Sequence, residues 1–182
     1  MPSNPIPQPW RSFFVDIDQS LTEELSLHCL GGFVMTMVYG LDRSTADVDV
    51  LPVSMNAAQS LMSLAGQGSI LHKKYGVYLQ IVGIAAVPFN YDERLTEMFP
   101  GSFNHLRLFA LDPYDLALSK LERNTQRDRD DVKHLARTVP LDLNVMHERY
   151  EKELRPDLGN PEREDLTLKL WTDAIAEERQ TH

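Results

Sequence analysis

Residues 27–53 read LHCLGGFVMTMVYGLDRSTADVDVLPV, and this stretch decides the fold. It opens with a short apolar run that ends in the pair Gly31-Gly32, and it closes on the Asp-Val-Asp-Val run at 47–50. Alternation of acid and valine at a period of two predicts a strand with one buried face. Both carboxylates then leave the strand on the same side, about 6–7 Å apart along it.

Two carboxylates held this close, those of Asp47 and Asp49, repel each other unless a cation lies between them. Mg²⁺ is usually held by one or two carboxylates together with substrate phosphates. Mn²⁺ favours the same kind of oxygen ligand. A glycine pair lets a backbone approach phosphate closely, and a helix predicted over 33–40 offers free N–H groups to it. The alternative for Gly31-Gly32 is a tight turn without a ligand, and the two acids downstream favour phosphate.

This arrangement resembles the nucleotidyltransferase superfamily, whose signature is a Gly-Gly or Gly-Ser turn that opens a helix, followed by an Asp-x-Asp strand. It is most similar to bacterial nucleotidyltransferase-like proteins related to the toxins of AbiE-type abortive-infection toxin–antitoxin systems. The residues that carry the likeness are Gly31, Gly32, Gly40, Arg43, Thr45, Asp47 and Asp49.

The resemblance implies an enzyme that moves a nucleoside monophosphate from a nucleoside triphosphate to a hydroxyl acceptor. In that role Asp47 and Asp49 hold Mg²⁺ (or Mn²⁺), the metal cofactor. The residues that would position the nucleotide are Gly31, Gly32, Arg43, Thr45 and Lys120. For Arg43, a solvated loop charge remains an equal alternative.

A second motif lies at 112–135, DPYDLALSKLERNTQRDRDDVKHL. It resembles the superfamily's Asp-Leu pair, lysine-bearing helix and acid pair that opens the next helix. The resemblance implies that Lys120 contacts nucleotide phosphate and that Asp131 lies near the metal or the attacking group. The alternative is structural: Asp128 and Asp131 stabilise a helix N-terminus, and Lys120 pairs with them.

The apolar stretch 77–87 (VYLQIVGIAAV) predicts a buried strand because it is rich in β-branched and aromatic residues. Members of the superfamily usually carry a third carboxylate on such a strand, and Gln80 stands at the matching position here. An amide neither accepts a proton at neutral pH nor binds Mg²⁺ strongly. Either another acid substitutes, or the protein binds nucleotide without efficient transfer.

The composition narrows the classes of protein to which this chain can belong. With 42% hydrophobic and 25% charged residues among 182, the chain is typical of a globular protein, and its longest apolar run is too short to cross a membrane. The single cysteine, Cys29, lies in an apolar run and allows no internal disulfide, so we expect a cytoplasmic location. The net charge of −9 counts against RNA binding without a local basic patch and suits a basic protein partner.

We therefore predict a mixed α/β (α+β) fold with a small twisted sheet covered by helices and a helical C-terminal tail. The predicted organisation is a disordered lead-in at 1–9, a nucleotidyltransferase-like domain at 10–138 and a helical extension packed on it at 139–182. Local predictions are a helix within 10–25, an Asn56-capped helix to about 64, short helices at 70–75 and around 92–98, and a helix that starts at Asp112-Pro113.

Two functions from different classes remain. The first is metal-dependent nucleotidyl transfer to an RNA or protein acceptor, including service as the toxin that an antitoxin partner restrains. The second is a weak or inactive nucleotidyltransferase relative that acts as a binding or regulatory module, which Gln80 and the acidic composition favour. Neither function involves a membrane.

Overall fold

The structure is a computed structural model that describes residues 5–52, 55–83 and 86–180. By their internal contacts these residues divide into two compact units, one within 1–84 and 95–111 and the other within 85–94 and 112–182. The predicted domain ranges, 10–138 and 139–182, stay a prediction.

The alternating acids and valines lie in a strand of a five-stranded sheet in the first unit. The strands are β1 (Leu25–Leu30), β2 (Asp47–Val50), β3 (Tyr78–Ile81), β4 (Thr96–Met98) and β5 (Leu106–Ala110), and their order across the sheet is β3-β2-β1-β5-β4. The β1–β2 and β4–β5 pairs are antiparallel, whereas β1–β5 and β2–β3 are parallel. This mixed sheet confirms the predicted fold class.

Among the described residues, the same unit contains the helices α1 (Trp10–Ser20), α2 (Gly31–Met37), α3 (Met55–Ala65) and α4 (Ile70–Tyr75). One face of the sheet is buried and apolar, with Leu27, Cys29, Val48, Val50, Leu79, Leu106, Leu108 and Ala110. The aromatic side chains of α1 pack with Phe33 of α2; the Trp10 and Phe33 ring centroids, for example, lie 4.8 Å apart. Burial of these rings and aliphatic chains is the main force holding the unit together.

The second unit is helical. Its α-helices are α5 (Pro113–Leu118), α6 (Gln126–Thr138), α7 (Leu143–Arg149) and α8 (Pro161–Gln180). A π-helical turn at Tyr150–Leu154 and a 3₁₀ turn at Arg155–Asp157 follow α7. The helical C-terminal tail was predicted correctly.

Several element boundaries differ from the predictions. Helix α1 ends at Ser20, and Leu25 already pairs with β5. Helix α3 has the bounds Met55–Ala65, so its first residue precedes the predicted cap, Asn56. The predicted helix around 92–98 is wrong in part: a 3₁₀ turn, Tyr91–Arg94, precedes β4. The reason is tertiary, since residues 96–98 pair with β5, and such long-range pairing overrides local propensity.

Some predictions fall outside the described residues. They are those for residues 1–4 of the lead-in, for Val53 at the end of the opening stretch and for residues 84–85 of the long apolar strand. From 5–9, Ile6 is buried. The described strand β3 is shorter than predicted and ends at Ile81.

The start of β5 depends on one buried acid, Asp18 of α1, which is only 5% exposed. Its carboxylate accepts the backbone N–H groups of His105 (2.7 Å), Leu106 (2.8 Å) and Asn104 (3.1 Å). Burial alone raises the pKa of the Asp18 carboxyl, but these hydrogen bonds outweigh it and lower the pKa below its usual value.

We predict that Asp18→Ala lowers the free energy of unfolding by about 2–4 kcal/mol, because the backbone N–H groups of Asn104, His105 and the buried Leu106 lose their common acceptor. Since the pKa is lowered in the folded state, this stabilisation is present above the ordinary aspartate pKa and is lost as the pH falls through the folded value. Urea unfolding of both proteins between pH 7 and pH 3 measures both effects. The matched control is Asp16→Ala on the same helix, where a carboxylate bonded to the exposed Lys74 should contribute less than about 1 kcal/mol. Equal losses for the two variants would contradict the assignment.

Candidate functional site

Strand β2 presents the predicted acid pair on one face. Val48 and Val50 are fully buried on the covered side of the sheet, whereas Asp47 and Asp49 are half-buried on the other side. The strand lies between β1 and β3, so its backbone is fixed from both sides. Both carboxylates are therefore held at one patch of the sheet and remain accessible there.

Gly31 packs directly against the second acid. It begins α2 with a φ of +73°, and a Cβ placed on it would lie 2.2 Å from Oδ2 of Asp49. Real Cβ atoms do not approach an oxygen this closely, and a positive φ also disfavours any other residue. The glycine is thus required by the position of the carboxylate as well as by the turn. Gly32 follows it inside the first turn of the helix.

The loop between α2 and β2 orients the first acid. The Thr45 hydroxyl donates a hydrogen bond of 2.8 Å to Oδ1 of Asp47. The Thr36 hydroxyl donates to the backbone carbonyl of Arg43 at 2.8 Å, which holds the loop to α2. Thr45 thus fixes a carboxylate, whereas its contact with nucleotide stays a prediction. Arg43 lies half-buried in the same loop.

The register of β3 places two side chains beside the acids. Gln80 is the partner of Asp49, and Tyr78 is the partner of Asp47, in the parallel β2–β3 pair. Partners in neighbouring strands leave the sheet on the same face, so the exposed amide of Gln80 stands next to the Asp49 carboxylate. The sequence indicated Gln80 but not Tyr78. Only the register of β2 and β3 shows that Tyr78 lies beside Asp47.

The remaining predicted residues lie together in the second unit. Lys120 follows α5, is 3% exposed, and its Nζ lies 2.8 Å from Oδ2 of Asp131 and 3.8 Å from Oδ1 of Asp128. Asp128 also completes a capping box with Thr125 at the start of α6. These contacts agree with the alternative in which the two acids stabilise the start of a helix and Lys120 pairs with them. A role of Lys120 or Asp131 in binding or catalysis stays a prediction.

Asp128 is ionised in this cluster. Burial raises the pKa of its carboxyl, but the bidentate Arg123 guanidinium and the Thr125 hydroxyl and N–H together lower the pKa to about 2. Asp128 therefore keeps its negative charge at neutral pH.

We predict that Lys120→Met lowers the free energy of unfolding by about 3–5 kcal/mol, because it leaves the buried Asp131 carboxylate without its ammonium partner. The double variant Lys120→Met/Asp131→Leu should recover most of that loss, since a buried ion pair replaced by apolar side chains is often neutral. Thermal and urea unfolding of both variants tests this. If Lys120→Met instead keeps the stability of the wild type and loses only nucleotide affinity, the lysine binds the nucleotide's phosphate.

Two further findings concern metal sites made by protein side chains alone and membrane-spanning helices. Among residues 5–52, 55–83 and 86–180, no three His, Cys, Asp or Glu side chains converge as a group able to hold a metal ion by themselves. Within the same described part of the chain, no helix is long and apolar enough to cross a membrane. Any divalent ion at Asp47 and Asp49 would need further oxygen ligands, such as those of a phosphate.

Comparison with known proteins supports the superfamily assignment. Residues 13–179 match the family described as Nucleotidyltransferase of unknown function (DUF6036). The chain matches no curated protein and no solved structure. The relationship to AbiE-type toxins stays a prediction. Because the match covers the sheet, both acids, the glycine turn and the helical unit, the chain belongs to this nucleotidyltransferase family.

Proposed function

We propose that the protein catalyses metal-dependent transfer of a nucleoside monophosphate from a nucleoside triphosphate to a hydroxyl acceptor. The observation that carries the proposal is the Asp47–Asp49 pair, accessible on one face of β2 and packed against Gly31. The family match supports a nucleotidyltransferase with a nucleoside triphosphate substrate.

The donor set at this patch fits Mg²⁺ or Mn²⁺. Two half-buried carboxylates supply hard oxygen ligands, and the triphosphate would supply the others. When bound there, the ion would neutralise charge on the reacting phosphates. The chain's own contribution is positional: Thr45 orients Asp47, and Gly31 leaves room for Asp49.

The proposed reaction forms one bond and breaks one bond, and it needs no oxidant or reductant. The acceptor's hydroxyl oxygen forms a bond to the α-phosphorus of the nucleotide, and the bond from that phosphorus to the α,β-bridging oxygen breaks. Pyrophosphate leaves, and the hydroxyl proton passes to a base or to water. Gln80 cannot take this proton, so water or another carboxylate would accept it; the exposed position of the amide beside Asp49 leaves room for water.

The same glutamine supports a second candidate function, that of a weak or inactive relative acting as a binding or regulatory module. With an amide beside Asp49, nucleotide binding is retained but general-base help is lost. The role of toxin with an antitoxin partner is compatible with both candidates; its support is the sequence resemblance and the net charge of −9, which suits a basic partner.

We predict that Asp47→Asn/Asp49→Asn abolishes Mg²⁺-dependent binding of nucleoside triphosphates, because amides do not replace carboxylates as Mg²⁺ ligands. Calorimetry with MgATP and MgCTP measures binding, and the same titrations without Mg²⁺ serve as the control. The exposed acid of the neighbouring loop, Asp42, provides a matched variant, Asp42→Asn, which should bind as the wild type does. Equal affinity of the double variant and the wild type for MgATP and MgCTP would contradict the proposal.

A second prediction separates the two candidate functions. Wild-type transfer should be slow, and Gln80→Glu or Gln80→Asp should raise the rate, since general-base help is typically about 10²–10⁴-fold. The assay follows α-labelled nucleotide into total RNA or protein, with Gln80→Met as a control that keeps the size without a carboxylate. Robust wild-type activity that Asp131→Asn abolishes would show that the acid of the second unit serves instead. Absence of transfer by the wild type and by both carboxylate variants would favour the binding module.

A further inference from the structure

We propose that helix α8 pairs in antiparallel orientation with α8 of a second copy of this chain, through an outer face centred on Leu166 and Leu170. These two leucines are 59% and 58% exposed, whereas Leu168 and Trp171 of the same helix are buried on the inner face. Apolar side chains on opposite faces are typical of a helix that is covered on both sides. The inner face is covered by the helical unit, and the second copy would cover the outer face.

The inner face of α8 is anchored to the helical unit by polar contacts as well as by burial. The Trp171 Nε1–H donates to Oδ1 of Asn124 at 3.3 Å. Nearer the start of the helix, the Asp165 carboxylate accepts from the Tyr150 hydroxyl at 2.5 Å and from the Arg155 guanidinium at 2.9 Å. Because these contacts fix the rotation of α8 about its axis, the two exposed leucines stay on the outer face.

The charges along the outer face favour one orientation of the second helix. Arg163 precedes the leucines and Asp173 follows them, and both are exposed. The face therefore reads Arg163, Leu166, Leu170, Asp173, with the three- and four-residue steps of a coiled-coil contact. A parallel copy would bring like charges together, whereas an antiparallel copy places each arginine beside the other copy's aspartate and each leucine beside the other leucine. The face is thus complementary to itself, as a two-fold interface requires.

Arg163 is already ordered at the position that this pairing needs. Its guanidinium donates to the backbone carbonyl of Glu122, and its Nε lies 3.3 Å from the Glu164 carboxylate, while 63% of its side chain is exposed. A guanidinium has five N–H donors, which is more than these two contacts use. A carboxylate of the second copy can therefore bind it at a reduced cost in side-chain entropy.

A second basic residue, Lys169, separates this arrangement from a general attraction for acidic partners. Lys169 is exposed, and it lies one residue from Leu168, the midpoint of the two outer leucines. In the antiparallel pair the two Lys169 side chains meet across the two-fold axis and repel each other weakly. Neutralising Lys169 should therefore strengthen the pairing, whereas neutralising Arg163 should weaken it. An acidic partner of another kind would lose affinity in both cases.

The first test is sedimentation velocity of the full chain from about 5 to about 500 µM. The contact spans about 15 Å of helix and is smaller than a standard interface of about 1,600 Å², so we expect a weak dimer that grows with concentration. Leu166→Gln/Leu170→Gln should weaken association at least about tenfold, since each dimer loses four apolar contacts. The control Ile70→Gln alters a side chain that is 75% exposed in the first unit and should change nothing. Circular dichroism shows whether the variants are folded.

Exchange of charges tests the orientation. Asp173→Arg places two arginines together at each end of the contact and should weaken association at least about threefold. Arg163→Asp/Asp173→Arg restores opposite charges and should return the affinity to within about twofold of the wild type. Lys169→Gln should tighten the dimer.

Disulfide cross-linking gives a readout that does not depend on the strength of the dimer. A tagged Leu166→Cys chain is mixed with an untagged Leu170→Cys chain and oxidised. In the antiparallel register these two positions face each other, so the mixed disulfide should exceed both symmetric ones. The native Cys29 does not compete, because it is fully buried and burial raises the pKa of its thiol to about 12.

Four results would overturn the proposal: a monomer at every concentration, undiminished association of folded Leu166→Gln/Leu170→Gln, weaker association of Lys169→Gln, or symmetric disulfides in excess of the mixed one. The outer face of α8 and the acid pair belong to different units. None of these results therefore decides whether Asp47 and Asp49 bind MgATP, and the proposed function is tested separately.

Discussion

The contact between the Asp49 carboxylate and the backbone of Gly31 is the constraint on which the site depends. The carboxylate occupies the space where any other residue would place its Cβ, so the turn into α2 and the strand β2 fix each other. A larger residue at this position would have to displace either the acid or the start of the helix. The geometry of the acid pair thus follows from close approach of backbone and side chain, with Thr45 adding only the orientation of Asp47.

What the sequence predicts well here is local. The alternation at 47–50 predicted β2, the Asp112-Pro113 pair predicted the start of α5, and the helix 70–75 has the predicted bounds. What it could not predict depends on pairing between distant segments. The β4 strand forms only because residues 96–98 meet β5, and the proximity of Tyr78 to Asp47 follows only from the β2–β3 register. A one-residue slip of that register would turn Tyr78 and Gln80 to the opposite face, and periodicity alone cannot exclude it.

The sequence also could not predict which charged side chains are buried, and their burial changes what the net charge indicates about the surface. Several acids are inside the protein with cationic or N–H partners: Asp115 is fully buried and accepts from Arg94 and Arg149, and Asp131 accepts from Lys120. Such pairs contribute little to the field outside the protein, since their charges cancel at short range. The net charge of −9 therefore says less about any one surface than the local distribution of charged side chains does.

The glutamine beside Asp49 presents a physical compromise. A third carboxylate at Gln80 would add a like charge next to the Asp49 carboxylate and raise the cost of the site without a metal. The amide avoids that repulsion, and in the proposed reaction its exposed position would let water reach the acceptor hydroxyl and take its proton. In the proposed reaction, the amide would forgo about 10²–10⁴-fold of general-base help, whereas positioning and charge neutralisation at the acid pair, which typically contribute more, would be retained. If the proposed reaction takes place, glutamine at this position is therefore expected to make transfer slow without any defect in the fold.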